Sequence, residues 1–191
     1  MSQLTAEQIA ERHGDMMLDL VKRTLAHSLV KGAAPAVSLD TFPPELRENG
    51  ATFITIEKDH KLRGCIGSLQ AHRPLIQDLV ENAYRAGFKD PRFPPLTREE
   101  MPRISWSISL LSEPRQMLFT GEADLLSQLK PGVDGLIIQD KGKRSTFLPQ
   151  VWEQIPDPVQ FLARLKQKAG LAPNHWSPDF TAFRYRVVKV G

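Results

Sequence analysis

Cysteine is almost missing from this sequence, since Cys65 is the only one among 191 residues. A single thiol excludes an intramolecular disulfide and any zinc site built from several cysteines. The five histidines, at positions 13, 27, 60, 72 and 175, include no pair at metal-ligand spacing, which argues against a zinc or non-haem iron site. A chain of this length buries enough surface to fold without a disulfide or metal. We therefore predict no metal site.

Long apolar runs are missing as well. No window approaches the ~18 apolar residues of a membrane-spanning helix. The start, MSQLTAEQIAERHGDMM, lacks the basic and apolar regions of a signal peptide. We therefore expect a cytoplasmic protein without a membrane partner.

Clustered positive charge and glycine-rich phosphate loops are also absent. Lys and Arg number 25 against 22 Asp and Glu, and the most basic stretch, KGKRS at 141–145, is typical of a charged turn. This distribution argues against a nucleic-acid partner. The lack of a Gly-x-Gly-x-x-Gly or Walker-type loop argues against a dinucleotide or nucleoside triphosphate site of standard design. The sequence indicates no cofactor and leaves the oligomeric state open.

The first half of the chain carries clear helix and strand periodicities. Apolar residues at helical spacing predict a helix over 5–29, with a capping box of Thr5 and Gln8 and a stop at Gly32. The segment 51–69 predicts two strands joined at Asp59-His60. Pro74 is predicted to occupy the first position of a helix that ends near residue 87. The stretch ISWSISL (104–110) alternates apolar residues with serine, as a half-buried antiparallel strand does.

The second half predicts a helix near 122–129, strands near 133–139 and 144–148, a helix over 158–169 and one last strand over 180–190. The proline-rich segment 32–46 is predicted to be a connection over the surface, and 88–102 is predicted to be a proline-interrupted loop without regular structure of any length. Helices and hairpins alternate without a run of βαβ crossovers. The pattern therefore predicts an α+β fold, with mostly antiparallel sheet and flanking helices.

The stretch LRGCIG (62–67) surrounds the single thiol with glycines. In a strand, Arg63 lies on the same face as Cys65, where a guanidinium would lower the pKa of the thiol. Gly64 and Gly67 would let a ligand approach the backbone. The same residues also fit a buried structural cysteine, because free cysteine is among the most buried residue types. Spacing alone leaves both interpretations open.

A second candidate is the loop KDPRFPPL (89–96). The proline between Asp90 and Arg92 restricts the backbone and fixes the directions of both side chains, as in loops that line ligand sites. An ion pair in a surface turn explains the same residues equally well. Glu113, at the end of the serine-faced strand, could add a carboxylate. No histidine is indicated as the base that a cysteine nucleophile normally needs.

Five motifs occur here in the order in which the AMMECR domain family has them: LRGCIG (62–67), DPRFPPL (90–96), G-x-DGL (132–136), FLPQV (147–151) and KAGL (168–171). The chain resembles this family, whose prokaryotic members are called AmmeMemoRadiSam system protein A, over nearly its whole length. The resemblance implies one domain over residues 1–191, built as two lobes without a separable linker, with LRGCIG near a cleft between them. The motif residues that it marks are Arg63, Gly64, Cys65, Gly67, Asp90, Arg92, Phe93, Pro149 and Gln150.

The resemblance also implies partners, because the prokaryotic genes are often found beside those of a Memo-like protein and a radical SAM protein. It does not imply an established activity. In one respect this chain departs from the pattern: many members have a cysteine before KAGL, where the sequence here reads Leu165-Lys166-Gln167. A mechanism that needs two cysteines is therefore not expected.

Three functions are considered for these residues, of which the first two fit them better. In the first, the chain is an enzyme or an enzyme-partner subunit. Cys65 is then the nucleophile and Arg63 activates it, while backbone N–H groups near Gly64 and Gly67 hold an oxyanion. In the second, the chain is a non-catalytic binding module for a small anionic or nucleotide-like ligand or a partner protein. The predicted ligand-binding residues are Gly64, Gly67, Asp90, Arg92, Phe93, Glu113 and Gln150. A third alternative is nucleic-acid binding through Lys141, Lys143, Arg144, Arg184 and Arg186, which would weaken steeply with salt.

Overall fold

The amphipathic pattern near the start of the chain folds as helix α1, Ala6–Lys31. The computed structural model describes residues 4–191. Thr5 caps the helix in a capping box with Gln8, and Gly32 ends it in the left-handed conformation with φ 69°. The predicted helix, its cap and its stop are therefore confirmed.

The described chain divides into two units, residues 4–111 with 188–191 and residues 112–187. The sheet of the first unit has the strand order β2-β1-β4-β9, and β3 pairs with β1. The predicted hairpin is confirmed, because Asp59 and His60 join β1 to β2 with φ 50° and 63°. The strands are β1 (Asn49–Lys58), β2 (Lys61–Gly67), β3 (Arg73–Pro74), β4 (Ile104–Leu111) and β9 (Val187–Val190).

Helices cover this sheet and close its core. Besides α1 they are α2 (Pro44–Arg47), α3 (Leu75–Phe88) and 3-10 turns at Leu39–Thr41 and Arg98–Arg103. Fully buried Val21 and Leu25 of α1 belong to one core with Ile54 and Ile56 of β1 and Leu79 of α3. These apolar positions recur at helical spacing in the helices and at alternate positions in the strand, so each element buries one face.

One prediction for this unit needs correction. Pro74 is not the first helical residue. It is the N-cap residue immediately before α3, and it lies in β3, where it pairs with Asn49 of β1. Each of the two proline-rich segments contains a short 3-10 turn, and α2 begins within the first. Proline fits a 3-10 turn or the start of a helix because its φ is already close to the helical value.

The second unit has a four-stranded sheet in the order β5-β8-β6-β7. Its core contains the ring of Trp152, stacked on Phe161 at a centroid distance of 3.7 Å. The basic stretch KGKRS includes the β6–β7 turn, where Lys141 and Gly142 have φ 51° and 72°. Its elements are β5 (Arg115–Gln116), α4 (Glu122–Gln128), β6 (Gly135–Asp140), β7 (Lys143–Phe147), a 3-10 turn at Pro149–Glu153, α5 (Pro158–Lys168) and β8 (Thr181–Tyr185).

The last predicted strand is wrong in one respect, because it is two strands in different sheets. β8 pairs with β5 and β6, whereas β9 pairs with β4. Arg186 separates them, and its backbone N–H donates to the Ser112 hydroxyl at 2.8 Å. The apolar alternation continues across this residue, so periodicity does not report the change of sheet.

The pairs β1–β2, β1–β3 and β1–β4 of the first sheet and the pairs β5–β8, β6–β7 and β6–β8 of the second are antiparallel. Helices and antiparallel strands together make an α+β fold, as predicted. Among residues 4–191, none of the helices combines the length and the apolar content needed to cross a membrane.

Candidate functional site

Cys65 lies on β2, the edge strand of the first sheet, opposite Thr55 of β1. Its backbone groups point away from β1 and bind the loop that follows α3. The Cys65 N–H donates to Oδ2 of Asp90 at 3.0 Å, and the Cys65 carbonyl accepts from Nη2 of Arg92 at 3.4 Å. The loop thus satisfies backbone groups that an edge strand would otherwise leave open.

Asp90 and Arg92 form the centre of this loop. Oδ1 of Asp90 accepts from the backbone N–H and Nε of Arg92, and Oδ2 accepts from Nη2 at 2.7 Å. These bonds from Arg92, with the one from Cys65, hold the pKa of Asp90 well below its usual range despite its burial. The Asp90 side chain is 2% exposed and that of Arg92 is 54% exposed. Asp90 is therefore a buried anchor, whereas Arg92 is open to solvent.

Arg63 sits where the β1–β2 register shifts, between the pairs Ile56–Gly64 and Glu57–Leu62. Its guanidinium is buried and bound by Glu100: Nε donates to Oε1 at 2.8 Å and Nη2 to Oε2 at 3.0 Å. Nη2 also donates to the Pro94 carbonyl at 2.8 Å. Its hydrogen bonds within residues 4–191 are to these two residues and not to the thiol of Cys65.

Glu100 collects several donors. Lys58 Nζ adds a bond of 2.8 Å to Oε1, and the backbone N–H of Thr97 donates to Oε2 at 3.0 Å. The hydrogen bonds from Arg63, followed by that from Lys58, lower the pKa of Glu100 from 4.5 to about 2, against the opposing effect of burial. Glu100 is ionised at neutral pH and balances one of the two cations that it binds.

Phe93 brings the two arginines of the site together. The Cζ atoms of Arg63 and Arg92 lie 5.7 and 5.5 Å from the centre of its ring, within the range of a cation–π contact. Nη1 of Arg63 is buried and has no hydrogen-bond partner among the described residues. A buried charged donor without an acceptor is rare and costly.

The thiol of Cys65 is partly buried, and its Sγ lies 3.4 Å from Oγ1 of Thr55. Either atom can donate in this contact. Within the described part of the chain, no histidine or lysine side chain hydrogen-bonds to the thiol. The hydroxyl of Thr55 is the hydrogen-bond partner of the sulfur among the described residues.

The two glycines that flank the thiol are required by packing. A Cβ on Gly64 would lie 2.1 Å from the Ala86 carbonyl oxygen of α3, and one on Gly67 would lie 2.2 Å from the ring of Phe53. Contacts below about 3 Å do not occur, so β2 can approach these neighbours only with glycine. Their role in ligand binding stays a prediction.

The structure brings together five of the predicted residues around Cys65 itself: Arg63, Gly64, Asp90, Arg92 and Phe93. Glu113 and Gln150 belong to the second unit and are exposed there, Gln150 on the 3-10 turn Pro149–Glu153. Two basic residues of that unit have partners within it. Lys143 Nζ donates to the Gly170 carbonyl, and Nη1 of Arg184 lies 3.7 Å from Oδ2 of Asp134.

Sequence reasoning missed Glu100, Thr55 and Pro94. Thr97 and Glu100 do form a capping box at the start of the 3-10 turn Arg98–Arg103. This box is readable from the spacing of TREE (97–100), but it does not reveal the bond from Glu100 to Arg63.

A second buried polar cluster in the same unit was also missed. Asp78 of α3 is fully buried, and its Oδ2 accepts from the backbone N–H and the hydroxyl of Thr52 at 2.8 and 2.9 Å. Ser68, Arg73 and Asn82 donate to the same carboxylate. The only sequence signal was an acid and an amide four residues apart on one helix, and it does not name their partners across the sheet.

The fold and the motifs define an α+β protein built on two antiparallel sheets. The sequence profile of the AMMECR1 family matches residues 18–190. The chain therefore belongs to the AMMECR1 family, and the resemblance seen in the motifs is confirmed.

Relatives of known sequence and structure agree with this membership. A protein of Methanothermobacter thermautotrophicus is 38% identical over 149 residues, which cover 77% of this chain and 78% of that protein. A protein of Thermofilum pendens is 33% identical over 187 residues, 92% of this chain and 85% of that protein. The crystal structure of the uncharacterized protein PH0010 from Pyrococcus horikoshii is similar with a TM-score of 0.74 and 31% identity, over 92% of this chain and 89% of that one.

Proposed function

We propose that this protein is a binding subunit whose site around Cys65 takes a small anionic ligand through Arg63 and Arg92. The observation that carries the proposal is Nη1 of Arg63, a buried guanidinium nitrogen without an acceptor beside Phe93. Arg92 lies against the same ring and is half exposed. A ligand oxygen at Nη1 would supply the acceptor that this buried charge lacks.

The charges of the site favour an anion. Lys58, Arg63 and Arg92 face two carboxylates, Asp90 and Glu100, which leaves one positive charge in excess. A planar guanidinium offers paired donors that suit carboxylate and phosphate oxygens. The predicted ligand class, small anionic or nucleotide-like, agrees with this excess.

The hydrogen bonds made by the Cys65 backbone N–H and by Arg63 favour a binding role over catalysis. The Cys65 N–H is bound to Asp90 and is not free to hold an oxyanion. Arg63 directs two of its three nitrogens to Glu100 and Pro94. Activation of the thiol by Arg63 would require these bonds to rearrange.

The second candidate is an enzyme or enzyme-partner subunit that uses Cys65 as a nucleophile. It is favoured by the partial exposure of the thiol and by its contact with the Thr55 hydroxyl. Because Cys65 is the only thiol, its alkylation by iodoacetamide can be followed by intact mass without ambiguity. Faster labelling in the folded protein than in the denatured protein would support this candidate, and labelling only after unfolding would contradict it.

The binding proposal is tested by calorimetric titration with inorganic phosphate, acetate and adenosine monophosphate. We expect at least one of these anions to bind the wild type and Cys65→Ser with similar affinity. Arg92→Gln should weaken that binding at least tenfold, since it removes the exposed cation of the site. Arg103→Gln is the matched control, because Arg103 is an exposed arginine of the same unit that pairs with Asp59.

Two results would overturn the binding proposal. The first is the absence of binding by all three anions at millimolar concentration. The second is equal affinity of the wild type and Arg92→Gln. Loss of binding in Cys65→Ser alone would instead move the assignment to the thiol candidate.

The proposed partners are a Memo-like protein and a radical SAM protein, and they rest on the family resemblance alone. Co-expression of this chain with both proteins from one genome, followed by affinity purification through a tag on this chain, tests them. Co-elution in a fixed ratio is expected. Elution of this chain without either protein at low ionic strength contradicts the partnership while leaving the anion site unaffected.

A further inference from the structure

The first unit contains a concave surface whose lining residues are different from those described around Cys65. A cavity of about 310 Å³ is bounded by α1, by residues 35–42 and by Val80 of α3. This volume is at the small end of the range of ligand pockets, ~300–1,000 Å³. None of its lining residues belongs to LRGCIG or to the loop 89–96.

Much of the lining is apolar. Leu20, Val37, Phe42 and Val80 contribute side chains to the cavity wall. Leu20 and Val80 also belong to the hydrophobic core of the unit, and Val37 and Phe42 pack against it. An apolar group placed in the cavity would continue this core, so burial of the group is favourable.

One polar group in the lining is unsatisfied. Thr24 is fully buried, and its Oγ1 has no hydrogen-bond partner among the described residues. The backbone carbonyl of Thr24 accepts a hydrogen bond from the Ser28 hydroxyl at 2.7 Å. A threonine inside a helix usually bonds its hydroxyl to a carbonyl of the preceding turn. The Thr24 hydroxyl makes no such bond among the described residues.

Arg23 and His27, four residues apart on α1, also line the cavity. Residues at this spacing lie on the same side of a helix. Nε of Arg23 is 2.8 Å from Oδ2 of Asp19. The Arg23 side chain is 63% exposed and that of Asp19 is 59% exposed. Such an exposed pair contributes little and can exchange for another anion.

The wall opposite α1 is held in place by its own hydrogen bonds. The Thr41 hydroxyl donates to the Ser38 carbonyl at 2.7 Å. Arg47 donates from Nε to the Phe42 carbonyl at 2.8 Å and from Nη2 to the Asp40 carbonyl at 3.3 Å. The cavity is therefore largely formed before any ligand enters, as small-molecule sites usually are.

We propose that this cavity binds a small amphipathic monocarboxylate. One carboxylate oxygen accepts the hydrogen bond of the Thr24 hydroxyl, and the negative charge lies beside Arg23 and His27. The apolar part of the molecule packs against Leu20, Phe42 and Val80. This site is independent of the proposed anion site at Arg63 and Arg92.

Titration of the full chain with phenylacetate and with 4-methylpentanoate, followed by ¹H–¹⁵N NMR, tests the proposal. At least one acid should shift the amide signals of α1 and of residues 35–42, whereas phenylacetamide should bind at least tenfold more weakly. Thr24→Val keeps the volume of the side chain and removes only the unsatisfied hydroxyl, so the variant should fold. We expect it to weaken binding of the acid about tenfold or more.

A charge-matched pair separates the role of Arg23 from a general effect of charge. Arg23→Gln should weaken binding of the acid, and Lys22→Gln, at an exposed neighbour outside the lining, should leave it unchanged. Absence of saturable shifts with both acids overturns the proposal. Binding that is equal in wild type and Thr24→Val, or equal for acid and amide, overturns the assigned ligand class.

Discussion

The carboxylate of Asp90 accepts a hydrogen bond of 3.0 Å from the backbone N–H of Cys65, 25 residues earlier in the chain. The same carboxylate binds Arg92, whose guanidinium reaches the Cys65 carbonyl. A single loop thus fixes both outward backbone groups of the residue that carries the only thiol. This arrangement makes the loop 89–96 a structural support of the site as well as a part of it.

Asp90→Ala should loosen this support. The change leaves the Cys65 N–H without its acceptor and Arg92 without its partner, and we expect a loss of about 2 kcal/mol in the free energy of unfolding. Alkylation of Cys65 in the folded variant should become faster because the strand edge is exposed. Urea unfolding and timed iodoacetamide labelling measure the two effects. Asp19→Ala, which breaks an exposed pair on α1, is the control and should change neither by much.

Glu100 should make stability depend on pH at the acid end. Its pKa in the folded protein, about 2, is below its ordinary value of 4.5, so ionised Glu100 stabilises the folded state. That contribution is present above about pH 4.5 and is lost as the pH falls from 4.5 toward 2. In Glu100→Gln the unfolding free energy should therefore differ most from the wild type near pH 6 and converge with it near pH 2.

Urea midpoints measured from pH 2 to 6 check this expectation. Glu11→Gln, on the exposed side of α1, should follow the wild-type curve throughout. A curve for Glu100→Gln that runs parallel to the wild type down to pH 2 would mean that Glu100 is not the group responsible.

The glycines of LRGCIG should differ in how far they tolerate alanine. Gly64→Ala drives a methyl group into the Ala86 carbonyl, a backbone atom that cannot turn away, and should cost about 3 kcal/mol. Gly67→Ala meets the ring of Phe53, so its cost should largely disappear in a Phe53→Ala background. Gly121→Ala is the control without a steric clash, because a Cβ there meets nothing within 4 Å, and its cost is limited to replacing the N-cap glycine of α4. Thermal and urea unfolding of the variants supply the comparison, and a neutral Gly64→Ala would contradict the packing role.

Asp78 should be one of the most sensitive positions in the first unit. Asp78→Ala leaves four donor side chains and one backbone N–H without their shared acceptor, which should destabilise the protein by about 4 kcal/mol. Asp78→Asn keeps the shape and one acceptor oxygen, so its effect should be smaller. Gln77→Ala, the preceding residue of α3, should change stability by less than about 0.5 kcal/mol. Equal effects at positions 77 and 78 would disprove the importance of the buried network.

Elements whose signal is local were predictable from the sequence. The capping box and the terminal glycine of α1, the turn at Asp59-His60 and the alternation of β4 each depend on residues within a few positions of one another. Their physical cause acts within one helix turn or one hairpin. The motifs likewise identified the neighbourhood of Cys65, because LRGCIG and DPRFPPL are contiguous segments.

What the sequence did not reveal depends on contacts between distant segments. Arg63 and Glu100 are 37 residues apart, and an arginine in a strand has many acids available before the fold is known. At Gly64 the sequence predicts an approach for a ligand, but it does not reveal that α3 comes too close there for any side chain. The division of the last strand escaped prediction because residue alternation reports burial and does not report which sheet supplies the neighbours.

The placement of β9 has a consequence for synthesis on the ribosome. β4 ends at Leu111, and its partner β9 begins at Val187, so the whole second unit is translated in between. At ~5–20 residues per second, the nascent chain spends several seconds with one side of β4 unpaired. During that interval the unpaired edge is open to other chains. A chaperone that binds the nascent chain would protect this edge of β4 until β9 emerges from the exit tunnel.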